Sequence, residues 1–213
     1  MRVLDLFAGL GGGSAAFVER GHEVVTLDND PRFGCTITAD LLTVSASDLA
    51  EYGPFDFVWA SPPCEAFSVA SIGHHWGGGH RVYAPRTEHA VVSQELVAHS
   101  IRLIAALGPR AWVMENPRGV LRKLSCVRGL PHVEVCYCRY GDTRMKPTDL
   151  WGKFPVGWTP EPMCHNGNPD HERAPRGAKT GTQGIAGAAE RAVVPKALSL
   201  SMCVALEQAT GRC

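Results

Sequence analysis

The chain has 213 residues, of which 45% are hydrophobic and 20% charged, enough for one full-sized α/β core. Its 21 basic and 21 acidic residues cancel, which excludes a broadly basic nucleic-acid binder but not a local cationic patch. No apolar run reads as a membrane span, no signal peptide is visible, and eight scattered cysteines give no disulfide framework, so reduced thiols and a cytoplasmic setting are expected.

Residues 2–7 form an apolar first strand that runs into Ala8, Gly9, Leu10, Gly11, Gly12 and Gly13. Ser14 is placed to cap the helix that follows, and Gly21 to end it. A strand, a glycine turn and a helix bring backbone close to a nucleotide-like ligand, because glycine permits positive φ and leaves no side chain in the way. Alone this is a weak signal, since some such turns are only tight turns. Residues 23–27 read as a second strand that ends at Asp28 and Asn29, where an acid can accept from ribose hydroxyls. Asp30-Pro31 also starts a helix well, so Asp30 is the expected cap. A short third strand, 36–39, ends at Asp40, placed to meet an adenine amine. No triphosphate-binding lysine motif follows the glycine turn, so the ligand expected is a nucleoside-type cofactor rather than ATP.

Residues 55–59 make a buried strand that runs into Ser61, Pro62, Pro63, Cys64 and Glu65. The prolines stiffen the backbone and fix the thiol at a strand end, where open α/β sheets bind ligands. A buried structural thiol is the bland reading, and a nucleophile is the sharper one. The segment 72–81, rich in glycine and histidine, reads as a mobile lid rather than a helix. Thr87 caps a long amphipathic helix over 88–107, ended by Gly108-Pro109. The strand 111–114 then delivers Glu115 and Asn116 to the same sheet edge, where a carboxylate is costly unless paired or functional. Residues 132–138 and 148–151 read as further strands, with a turn through Arg144 between them.

Between residues 110 and 128, Arg110, Arg118, Arg122, Lys123 and Arg128 face a single acid, Glu115. Residues 155–187 are rich in proline, glycine and polar residues and read as an irregular insertion. Cations and donors concentrate there, as suits a nucleic-acid contact loop. Cys136, Cys138, Cys164, His165 and His171 could hold zinc, but the Cys-x-Cys spacing is atypical, and the expectation is no metal. The stretch 194–208, after Pro195 opens it, reads as a closing helix. The expected organisation is a catalytic core over 1–154, an insertion over 155–190 and a terminal helix over 191–213.

Taken together, the run Asp5-Leu6-Phe7-Ala8-Gly9-Leu10-Gly11-Gly12, the run Pro63-Cys64-Glu65-Ala66-Phe67-Ser68 and the pair Glu115-Asn116 resemble the cofactor loop, nucleophile motif and Glu-Asn-Val motif of the DNA cytosine-5 methyltransferases. The region Tyr140-Gly141 to Arg144 is similar to the one that holds the family's Gln-x-Arg-x-Arg motif. The resemblance covers residues 1 to about 150, and the compact form resembles phage-encoded members. It implies a Rossmann-like fold of the S-adenosylmethionine-dependent methyltransferases, with a mostly parallel sheet, helices on both faces and a short irregular target-recognition insertion. It implies S-adenosylmethionine as methyl donor, held by Phe7, Ala8, Gly9, Gly11, Gly12, Asp28, Asn29, Asp40 and Pro62, and DNA as partner of a monomer. Cys64, Glu115 and Arg144 would be catalytic, and Ser68, Arg81, Arg118, Arg176, Lys179, Thr180 and Gln183 would meet DNA. Glu65 and Pro117 depart from the family's Gln and Val, and the Gln-x-Arg-x-Arg motif is largely missing, with only Arg144 and Lys146 nearby. RNA as substrate, transfer to an exocyclic amine and a non-catalytic relative are the alternatives this reading leaves open.

Overall fold

In the computed structural model, residues 1–79, 82–165, 167–172 and 187–211 are described. Seven strands make one sheet in the order β3-β2-β1-β4-β7-β9-β8. They are β1 (Arg2–Leu6), β2 (Glu23–Asp28), β3 (Ile37–Thr38), β4 (Phe57–Ala60), β7 (Ala111–Pro117), β8 (His132–Cys136) and β9 (Pro147–Lys153), with a two-stranded hairpin of β5 (Trp76–Gly77) and β6 (Ala84–Pro85) apart from them. The first five strands of that order are parallel, and β9 and β8 close the sheet antiparallel. The parallel register puts Leu27, Leu6, Ala60 and Met114 at one level. The residues that follow them in each strand therefore emerge at a common edge.

Side chains alternate across a strand, and the core divides accordingly. Leu4, Leu6, Val58, Ala60 and Met114 face α3 (Glu88–Leu107), whose Val97 and Ile104 are buried against them. Val3, Phe57, Trp59 and Val113 face the other way, onto Phe17 of α1 (Ala15–Glu19) and Leu198, Met202 and Leu206 of α5 (Lys196–Thr210). Each such side chain, fully buried, contributes about 1.5–3 kcal/mol. Helices thus cover both faces of a mostly parallel sheet, as expected for a Rossmann-like fold. In α3, the Thr87 hydroxyl accepts from the Ala90 amide at 3.2 Å, and Gly108 takes φ 60° to end the helix. Its length and mean hydropathy of 1.3 over the most apolar stretch meet the criteria for a membrane span, against the expectation that no run would. Its buried stripe nevertheless lies on the sheet.

Three local expectations are corrected. Ser14 opens α1 but caps nothing, because its hydroxyl donates to Asp5 at 2.6 Å. The segment after Cys64 contains a one-turn helix, α2 (Ile72–His75), then the β5–β6 hairpin. Trp76 anchors it: the ring stacks on Phe67, and its Nε1 donates to the Ala66 carbonyl at 2.6 Å. The insertion's end is helical, as α4 (Ala188–Ala192), while 155–165 and 167–172 contain no helix or strand.

Candidate active site

At the end of β1, Phe7 takes φ 60°, Gly9 φ 50° and Gly11 φ 76°. The turn is fixed from beneath. Asp28, at the end of β2, accepts from the Gly9 amide at 2.9 Å with one oxygen and from the Asp30 amide at 3.0 Å with the other. Asp30 in turn accepts from the Arg32 amide and caps the following turn, as expected. A Cβ on Gly13 would lie 2.4 Å from Trp59, and one on Gly12 would lie 2.7 Å from the Val194 amide nitrogen. One side of the turn is therefore packed against protein. Gly12 supplies close packing rather than an open face. At Gly11 nothing lies within 4 Å of where a Cβ would be. The open side at Gly11, beside the partly exposed Phe7, leaves backbone accessible to a nucleoside-type cofactor, while both Asp28 oxygens are taken up in holding the turn. Asp40 also accepts from the Leu42 amide at 3.0 Å, so one of its oxygens already has a partner.

Beneath the turn, Asp5 is almost wholly buried. Loss of water raises its carboxyl pKa to about 7, opposed by the Ser14 hydrogen bond and reinforced by the charge of Asp28.

Cys64 follows β4 across Pro62 and Pro63 and is partly exposed. Glu115 extends β7 and is buried. Asn116 ties the two segments together, its amide donating to the Pro62 carbonyl at 2.9 Å. Its buried Oδ1 has no hydrogen-bond partner among the described residues. The Tyr137 hydroxyl, just past β8, donates to Glu115 Oε1 at 2.7 Å. Burial pushes the Glu115 carboxyl above its usual range, and Lys146, Tyr137 and Ser61 only partly offset this. Burial, then the Glu115 charge, push the Cys64 thiol up, while the charge of Lys146 draws it down. The two groups are thus coupled: protonating Glu115 removes a charge that disfavours the thiolate.

Lys146 is the cation that acts on both groups. Its ammonium lies 4.5 Å from the centre of the Tyr137 ring and donates to the Arg191 carbonyl at 3.1 Å. Arg144, the cation expected there, is buried and paired through two nitrogens with Asp142, and its remaining nitrogen donates to the Arg191 carbonyl at 3.3 Å. Sequence reasoning singled out neither Tyr137 nor Lys146 for a role. Tyr137 read as one more residue of an alternating strand, and Lys146 as a neighbour of Arg144. Glu65 is exposed and lies 3.7 Å from His89 on α3.

Among the expected nucleic-acid contacts, Ser68 hydrogen-bonds Ser71 at 2.9 Å, and its backbone bridges to Gly119. Arg118 pairs with Glu134 at 3.0 Å and stays half-exposed. Arg81, Arg176, Lys179, Thr180 and Gln183 lie outside the described residues.

A model of the C-5 cytosine-specific DNA methylase family matches residues 1–126. The chain is 30% identical over 178 residues to a Frog virus 3 protein named probable DNA (cytosine-5)-methyltransferase, covering 82% of this chain and 81% of that one. It is 28% identical over 133 residues to the type II methyltransferase M.DdeI of Desulfomicrobium norvegicum, covering 57% of this chain and 29% of that one. Among solved structures, the Entamoeba histolytica methyltransferase EhMeth superposes with a TM-score of 0.53 at 13% identity, covering 78% of this chain and 56% of that one. The chain therefore spans about half the length of that solved relative and less of M.DdeI. The superposition bears on the fold alone.

Proposed function

Because the chain belongs to the C-5 cytosine-specific DNA methylase family, we propose that it transfers a methyl group from S-adenosylmethionine to carbon 5 of cytosine in DNA, through a Cys64 adduct on a flipped-out base. The observation that carries this reading is the coupling of Cys64 to a buried Glu115 whose carboxyl is held above its usual range, both following the last residue pair of β4 and β7, Ala60 and Met114.

Carbon 5 of cytosine is a poor nucleophile while the ring is aromatic. The Cys64 thiolate adds to carbon 6, and the electron pair displaced from the carbon 5–carbon 6 double bond loads carbon 5. Glu115 delivers a proton or a strong hydrogen bond to ring nitrogen 3, so no full negative charge builds on the ring. Tyr137 holds the acid through Oε1. Lys146 favours the thiolate as it forms. S-adenosylmethionine, when bound, supplies a methyl group activated by a positive sulfur. Phe7, Ala8, Gly9, Gly11, Asp28, Asn29, Asp40 and Pro62 line its place, and Gly12 keeps the turn in shape. A base then removes the carbon 5 proton, the carbon 6–sulfur bond breaks, and aromaticity returns. The base must leave the stack to reach the thiol. The segment from α2 through the β5–β6 hairpin, pinned by Trp76, is placed to close on it. The insertion over 155–190 reads the neighbouring bases, with Arg176, Lys179, Thr180 and Gln183 as contacts and Arg118, Arg81 and Ser68 at its margin.

The test uses duplex DNA with 5-fluorocytosine in varied sequence contexts and radiolabelled S-adenosylmethionine. Fluorine cannot leave as a proton does, so a denaturant-resistant complex joined through Cys64 is expected. Label in an exocyclic amine, or in tRNA but not DNA, would overturn the proposal.

A further inference from the structure

Three of the cysteines fall outside the chemistry above and lie together. Cys136 ends β8, Cys138 sits in the turn that follows, and Cys164 belongs to the insertion. All three are buried and reduced, and their sulfurs lie within 4.8 Å of one another. The Cys136 and Cys138 sulfurs are 3.5 Å apart, and Cys164 Sγ is 3.3 Å from His171 Nδ1. Tetrahedral zinc with bonds of about 2.3 Å to sulfur and about 2.0–2.1 Å to nitrogen places its ligand atoms roughly 3.5–3.8 Å apart. The Cys136–Cys138 separation is of that size; the compact group is the three sulfurs, and His171 adjoins it through Cys164, slightly closer than the range. A second observation points the same way. Arg139 Nε is buried with no hydrogen-bond partner among the described residues, and Cys164 is near enough to bear on its charge. A buried, unpartnered N–H is better satisfied once a nearby thiol becomes a thiolate.

We propose that Cys136, Cys138, Cys164 and His171 form a structural zinc site that clips the insertion to the sheet. Three thiolates and one zinc ion leave one net negative charge, and Arg139 lies beside it. Each thiol gives up its proton as its sulfur–zinc bond forms, so no redox partner is needed. His171, rather than the neighbouring His165, is the nitrogen ligand on this geometry.

The clip has a clear mechanical consequence. Between the two cysteines of β8 and its turn and the two ligands of the insertion lies the loop that carries Arg144 and Lys146. The same two segments are already joined by the Glu172 amide donating to the Thr143 carbonyl at 2.9 Å, by the Arg144–Glu172 bridge and by an Arg139–Asp170 ion pair. Zinc would lock that contact. The other compact cluster of possible ligands, His22, Cys203 and Glu207, lacks this character, because Arg20 and His22 already occupy both Glu207 oxygens.

The experiment is metal analysis of the full chain purified from zinc-supplemented medium, with cobalt replacing zinc in a second preparation. One zinc per chain is expected, and cobalt should give thiolate charge-transfer bands and the intense visible bands of a tetrahedral ion. Cys164→Ser should lose the metal with the sheet intact by circular dichroism. His171→Ala should keep the charge-transfer bands but weaken zinc binding by about 10-fold or more. Absence of zinc and of the cobalt bands in a folded chain would overturn the site, as would metal retained in full by Cys164→Ser. Unchanged affinity in His171→Ala would overturn the four-ligand assignment. None of these readouts depends on methyl transfer, so failure of the proposed activity and failure of the metal site are distinguishable.

Discussion

The two ends of the sheet build the candidate site in different ways. The parallel end works by alignment: Leu6, Leu27, Ala60 and Met114 stand at one level, and the residue types that follow them are reactive or charged. The antiparallel end works by contact. Tyr137 and Lys146 reach Glu115 and Cys64 from a turn and a loop that no strand end predicts. On the proposed mechanism, the parallel end holds the groups that break and form bonds, and the antiparallel end adjusts their protonation against the larger effect of burial. If that division is correct, substitutions in the two ends should differ in kind: the first should abolish turnover, and the second should move its pH dependence.

Cys64→Ser is the sharpest cut at the parallel end. It should lower methyl transfer on the order of 10³-fold or more while DNA retention on a filter persists. Glu115→Gln should cost about 10²–10⁴-fold, because the amide cannot give up a proton to ring nitrogen 3. Asp5→Asn probes the support under the glycine turn. Its folded-state pKa is raised from 3.8 to about 7, so the folded chain holds a proton that the unfolded chain releases. Stability should therefore fall as pH rises from about 4 to about 7, by up to about 4 kcal/mol. The variant should lose that slope in urea titrations run across the range.

At the antiparallel end, Tyr137→Phe removes a hydrogen bond that lowers the Glu115 pKa. The alkaline limb of the rate profile should move to higher pH, with about 1–3 kcal/mol lost in stability from the unmet acceptor. The smallest effect is expected from Lys146→Met. The Lys146 charge lowers the pKa of both Cys64 and Glu115, so both limbs should move to higher pH, with about a tenfold loss of rate at neutral pH. A tenfold loss with no shift in either limb would break the comparison.

What was legible in the sequence follows the same division. A hydrophobic run, a stop and a polar residue locate a strand end, so Phe7, Asp28, Cys64 and Glu115 could be placed without coordinates. The long helix was readable to the residue because Thr87 and Gly108 mark its ends chemically. Ser14 misled, since a serine before a helix is a cap by habit and a partner for a buried acid only by packing. Trp76 was hidden among glycines and histidines, which say nothing of the Ala66 carbonyl its indole would find. Arg144 was favoured over Lys146 on motif similarity, yet a guanidinium two residues from an aspartate pairs with it locally, which left the other cation free for longer-range work. The sequence-level resemblance to the cytosine-5 methyltransferases agrees with the matched family and with the fold, while the roles of individual residues rest on the proposals above.

The Gly12 contact with Val194 carries one more consequence. The packed side of the glycine turn is supplied by backbone some 180 residues away in the chain (194 less 12). The short helix after it is held by the same late segment, through the Ser199 hydroxyl on the Ala16 amide and Glu207 on Arg20 and His22. Loosening the terminal helix should therefore disturb the glycine turn from the far end of the sequence, although the two share no neighbouring residues in the chain.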